Sequence, residues 1–85
     1  EPIKNIDENT IEADARTDIG DFNDQCELNL PEDEDYETIG GFVFSRLGYI
    51  PKTGESFDYE NLKFTIISAE ARSIKRIRIQ KTNEQ

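Results

Sequence analysis

Hydrophobic positions along the chain change their spacing twice. Near the start they alternate. Ile11, Ala13 and Ala15 are separated by Glu12, Asp14 and Arg16, the pattern of a strand with one buried face over residues 10–16. Before it, Ile3 and Ile6 mark a weaker edge strand within residues 1–8, and the turn-rich "DENT" joins the two into a hairpin. Ile19, Phe22 and Cys26 then stand at i, i+3 and i+7 behind a Thr17-Asp18 cap, which predicts a short helix over about 18–26. Leu28 and Leu30 are apolar enough to tuck into the core, and Pro31 breaks the pattern. Ile39, Phe42, Val43 and Leu47 predict a second helix over about 37–47, ended by Gly48 and barred from continuing by Pro51.

Alternation returns after the "PKTGES" turn, which contains Gly54. "SFDYE" is a short strand, Glu60-Asn61 a tight turn, and "LKFTIISAEA" a longer strand with Leu62, Phe64 and Ile66 on one face and Ile67 and Ala69 on the other. Ala71-Arg72 turns the chain into "SIKRIRIQK", where Ile77 and Ile79 face in and Arg76 and Arg78 face out. The order β-β-α-α-β-β-β implies an α+β domain, an antiparallel sheet with two helices on one face. One domain is expected over 1–85, with its core at about 5–80 and a frayed tail at 81–85.

The second helix poses a problem. Gly40 and Gly41 stand side by side in its first turns, where each costs roughly 0.5–1 kcal/mol relative to alanine. Two explanations are open: a loop that approaches phosphate, or a helix that approaches another element closely. With Thr38 or Asp35 as cap and Ile39, Phe42 and Val43 filling the core, close packing is the simpler one.

Composition narrows the chemistry. The 85 residues carry a net charge of −9. Residues 1–60 hold 4 basic and 17 acidic groups, and residues 61–85 hold 6 basic and 2 acidic. An acidic body with a basic last strand argues against general nucleic-acid binding, which needs a broad basic surface. There is no histidine and one cysteine, Cys26, so an ordinary zinc site, a histidine-activated nucleophile and an internal disulfide are all excluded. Cys26 reads as a small core residue. No apolar run reaches the roughly 20 residues of a membrane span. The chain opens at Glu1 rather than Met, which points to a piece of a longer protein. Glu32, Asp33, Glu34, Asp35 and Glu37 form an acidic run whose oxygens suit a divalent cation. Its spacing is not that of a calcium loop, and acids ahead of a helix also favour its N-terminal dipole.

The residues from Asp35 onward resemble the CorC/HlyC transporter-associated domain. The resemblance is carried by Asp35 and Tyr36, by Thr38 to Phe42, by the Gly48–Gly54 turn containing Pro51, and by the basic last strand from Ile74 to Ile79. Upstream, "ADARTDIGDFND" also matches through Arg16, Ile19, Phe22 and Asn23, so the likeness covers about residues 5–80. Three positions depart from the pattern. Asn9 and Ala15 stand where many relatives have glycine, so no left-handed backbone is needed at Ala15. Glu12 stands where many have a larger apolar residue, which puts its strand face in question as core.

The resemblance implies a fold grouped with the FAD-binding domain of certain oxidases. It implies no established catalytic activity, and a place beside a CBS pair and a transmembrane domain in proteins described as magnesium/cobalt efflux factors or hemolysin-like. Such a domain acts by contact on the cytoplasmic side of the bacterial inner membrane, modulating ion transport, while being soluble itself. Contacts with the CBS pair, the membrane domain or a second copy follow, with Arg76 and Arg78 as the interaction stripe. The alternatives are FAD or adenine-nucleotide binding, which rests on fold analogy alone, and divalent-cation sensing by the acidic run.

Overall fold

Seven elements run in the expected order: β1 (Ile3–Asp7), β2 (Thr10–Asp14), α1 (Ile19–Cys26), α2 (Ile39–Leu47), β3 (Ser56–Tyr59), β4 (Leu62–Glu70) and β5 (Ser73–Lys81). The computed structural model describes residues 3–82. The strands form one antiparallel sheet in the order β1-β2-β5-β4-β3, so the domain is α+β as the pattern implied. The last strand lies in the middle, flanked by β2 and β4. This explains why its inward residues Ile77 and Ile79 are almost completely buried.

Both helices cover one face of the sheet. Ile11, Ala13, Phe64, Ile66, Ile77 and Ile79 from the strands meet Ile19, Phe22, Ile39, Phe42 and Val43 from the helices in a single core. Phe42 is its aromatic centre, with Tyr36, Tyr59 and Phe64 at centroid distances of 5.8, 5.2 and 5.7 Å. Tyr36 and Tyr59 meet it edge-on, an arrangement that adds about 0.5–1.5 kcal/mol per pair beyond area burial, and Phe64 is tilted.

Several local expectations are corrected. Ile6 is not core: the register passes from Asn5↔Ile11 to Asp7↔Thr10, so Ile6 is bulged, and it is 44% exposed. The alternation of β4 also breaks. Ile66 pairs with Ile77 and Ser68 with Arg76, which leaves Ile67 as an extra residue, and Lys75 is the matching extra on β5. Two opposed bulges restore the register, as a strand bent over a small core needs. Leu30 is buried, whereas Leu28 and Cys26 only pack partly buried against the core. β5 continues through Lys81, and the Thr82 N–H donates to the Asn61 carbonyl at 2.8 Å. Order therefore reaches two residues into the stretch expected to fray; residues 1–2 and 83–85 lie outside the described residues.

Candidate functional site

The two helix starts are built against each other. Asp18 caps α1, its carboxylate accepting from the Asp21 N–H at 3.0 Å, and Thr38 caps α2, its hydroxyl accepting from the Gly41 N–H at 3.0 Å. The lead-in of each helix then serves the other. Ile19 N–H donates to the Glu37 carbonyl at 2.8 Å, and Ile39 N–H donates to the Thr17 carbonyl at 3.1 Å. Helix N-termini leave backbone donors free, and these are what bind phosphate. Here Ile39, Gly40, Gly41 and Phe42 all donate within the chain, Gly40 to the Ala15 carbonyl at 2.9 Å and Phe42 to the Thr38 carbonyl at 3.0 Å. The first four amides of α2, Ile39 to Phe42, are thus all taken and unavailable to a pyrophosphate.

The glycines are there because side chains do not fit. A β-carbon on Gly40 meets the Ala15 β-carbon at 2.9 Å and its carbonyl oxygen at 3.0 Å. One on Gly41 meets the Tyr36 β-carbon at 2.8 Å. Ala15 is buried with an ordinary backbone, since the non-glycine residues of positive φ among those described are Glu27 and Glu60. Gly48 takes the left-handed cap of α2 at φ 81°, a conformation costly for residues with a β-carbon. Pro51 is buried beyond it, and the Gly54 N–H donates to the Ile66 carbonyl at 2.7 Å, hooking the Gly48–Gly54 turn onto β4. In the same turn Glu55 accepts from the Tyr49 hydroxyl at 2.9 Å and the Lys52 N–H at 2.8 Å. The backbone bond from Lys52 lowers the Glu55 pKa, and the bond to Glu55 raises that of Tyr49.

The acidic run forms a strap over the helix starts. Asn23 holds its beginning: its amide donates to the Leu30 carbonyl and accepts from the Leu30 N–H, both at 2.9 Å. Tyr36 holds its end, its hydroxyl donating to the Pro31 carbonyl at 2.6 Å and its ring meeting Phe42 edge-on. Burial, with Asp33 nearby, raises the Tyr36 pKa. Glu32, Asp33, Glu34 and Asp35 between these anchors, and Glu37 just beyond Tyr36, are all exposed, and Asp33 is occupied in accepting the Asp35 N–H at 3.0 Å. Among the described residues no three carboxylate or thiol side chains converge to hold a metal ion.

Arg76 and Arg78 lie on the outer face of the sheet, half-buried rather than freely exposed. Both reach Glu12 on β2. Arg78 donates through Nη2 at 2.9 Å and Nε at 3.2 Å, and Arg76 Nε stands 3.8 Å from the other carboxylate oxygen. Glu12 keeps only 17% of its side chain exposed. The departure at Glu12 is thus accounted for: Ile11, Ala13 and Ala15 make the core face, and Glu12 pins the basic stripe on the other. Burial pushes the Cys26 thiol pKa up, which disfavours its thiolate form. A cleft of about 310 Å³ lies beside it, between Leu28 and the Glu60-Asn61 turn, with Tyr59 and Leu62 at its base. The sequence marks Asn23 only as part of the upstream resemblance and Glu12 only as a departure from it; their roles, holding the Leu30 backbone and pairing with the arginines, are visible in the structure alone.

A family model described as "Transporter associated domain" matches residues 4–83. The chain is 41% identical over 83 residues, 98% of its length, to the magnesium and cobalt efflux protein CorC of Pasteurella multocida. It is 41% identical over 81 residues, 95% of its length, to hemolysin C of Brachyspira hyodysenteriae. The matched part spans 27% and 30% of those two proteins. The solved transporter-associated domain from Nitrosomonas europaea superposes with a TM-score of 0.86 at 28% identity, covering 96% of this chain and 98% of that one.

Proposed function

The chain belongs to the transporter-associated domain family, and on that premise we propose that it is a non-catalytic accessory module of a longer divalent-cation transport protein. It acts by contact, adjusting magnesium or cobalt efflux through a CBS pair and a membrane-embedded part of the same protein, on the cytoplasmic face of the membrane. The observation that carries this reading is the pairing of a match over nearly the whole chain with its coverage of under a third of relatives named as efflux proteins. The outward-facing Arg76–Glu12–Arg78 group is the contact stripe in this reading. The engaged amides of "TIGGF" favour contact over binding of FAD or an adenine nucleotide.

The test is removal of this domain from the longer protein, with cobalt and magnesium efflux followed in cells and the amount of protein in the membrane measured alongside. The expected result is a changed efflux rate at an unchanged protein level. An efflux rate identical to that of the intact protein overturns the reading.

A further inference from the structure

An apolar groove runs along the outward side of α2. Its floor is formed by Gly40, Gly41, Ile50 and Ile74, and the Phe44 ring, 47% exposed, forms one wall. It holds about 230 Å³ and continues at Ile50 into a second depression over Pro51 and Ala69. Large aromatic residues left half in water beside a groove mark contact surfaces more often than a lone exposed apolar residue does. Phe44 stands beside Gly40 and Gly41 in the lining of the groove.

The charges around this groove depart from those of the rest of the chain. Overall there are 19 acidic residues to 10 basic, and residues 1–60 contain only 4 basic groups. Two of those four, Arg16 and Lys52, line the groove and its continuation. The one acidic residue in the lining of the two depressions is Glu70, which stands 3.8 Å from Lys75, while Glu55 lies outside the lining and accepts the Lys52 N–H. The Arg16 side chain is 89% exposed and holds Asp14 only at 3.6 Å, leaving its guanidinium available. An apolar trough with a basic rim, on a strongly acidic domain, is complementary to a segment that offers a bulky apolar side chain flanked by carboxylates.

We propose that the groove beside Phe44 receives such an acidic–apolar peptide segment, contributed by another part of the longer protein. This rests on the reading of the domain as a contact module, and it names the surface on the helical side through which one contact is made. Relatives more than three times the length of the matched region have ample chain to supply the segment.

The test places a photo-cross-linking phenylalanine analogue at position 44 of the longer protein, with the same analogue at Asp24, an exposed position of α1 away from both the groove and the arginine stripe, as a control. Phe44 is exposed enough for the domain to keep its fold. Position 44 is expected to give an intramolecular cross-link, mapped by mass spectrometry to a segment holding an apolar residue next to Asp or Glu, and position 24 is not. Arg16→Glu with Lys52→Glu should lower that yield by roughly fivefold or more. A cross-link to a second copy or to lipid, no cross-link, equal yields from both positions, or a yield indifferent to charge reversal each overturns the proposal. Efflux that depends on the domain while position 44 stays unlinked removes this surface alone. Efflux indifferent to the domain removes the contact-module reading itself.

Discussion

Gly40→Ala adds one carbon at the tightest point of the molecule. That carbon stands 2.9 Å from the Ala15 β-carbon and 3.0 Å from the Ala15 carbonyl oxygen, whereas carbon–carbon contacts settle at about 3.5–4.0 Å. Helix α2 and the end of β2 must therefore part by roughly 0.5–1 Å. Ala15 has little room to yield. It is 3% exposed, its N–H donates to the Lys75 carbonyl at 2.9 Å, and its carbonyl accepts from Gly40 at 2.9 Å. Overpacking of this kind costs about 1–3 kcal/mol. Alanine regains about 0.5–1 kcal/mol of helix propensity, at the lower end here because Gly40 is the second residue of α2. The net loss is roughly 1–2 kcal/mol, or a fall in Tm of about 4–15 °C for a domain of this size. Thermal unfolding followed by circular dichroism reads it directly. Gly41→Ala should cost less, although its β-carbon meets that of Tyr36 at 2.8 Å, because its two nearest contacts are side-chain atoms of Tyr36 and Thr38, whereas Gly40 also meets the backbone carbonyl at the end of β2. A Tm for Gly40→Ala equal to or above that of the parent, or the reverse order of the two variants, would refute the close-contact explanation.

Three further outcomes follow from the same geometry. Asn23→Ala removes both 2.9 Å bonds to the Leu30 backbone and leaves part-buried groups unpaired, so chemical denaturation should show a loss of about 1–3 kcal/mol. Glu12→Gln leaves Arg76 and Arg78 facing each other on neighbouring positions of β5 without their shared carboxylate; stability should fall, and the deficit against the parent should shrink as salt is raised. Titration of the domain with magnesium or cobalt in a calorimeter should give no saturable heat at millimolar metal, because the carboxylates of the strap are spread along it rather than gathered.

Much of this fold is legible in the sequence because its elements are strongly patterned. The change from period 2 to helical period and back gives all seven elements in order, and Thr38, Gly48 and Pro51 bound the second helix to within two residues. What escapes is whatever depends on a partner distant in sequence. Ile67 looks like an ordinary member of an alternating strand, and only the pairing with β5 makes it a bulge. Glu12 looks like a weak core position until Arg78, 66 residues later, is beside it. Arg76 and Arg78 look like free cations for the same reason. The acidic run looks like a candidate ligand set because sequence shows its density, while the backbone turn at Asp33 and the anchors at Asn23 and Tyr36 decide where each oxygen points.

The double glycine joins these observations. Helices of eight and nine residues are too short to be stable alone, and each leaves donors at its start that water or a ligand must otherwise satisfy. Here the carbonyls of Thr17 and Glu37 cross over to cap the opposite helix, and Ala15 takes the next donor of α2. That exchange requires the α2 backbone to lie against the end of β2, which only residues without side chains permit at Gly40 and Gly41. The stretch that most resembles a phosphate loop is thus a joint holding two helices and a strand as one unit. With those amides turned inward, the surfaces left outside the joint are the Phe44 groove on one layer and the Arg76–Glu12–Arg78 group on the other.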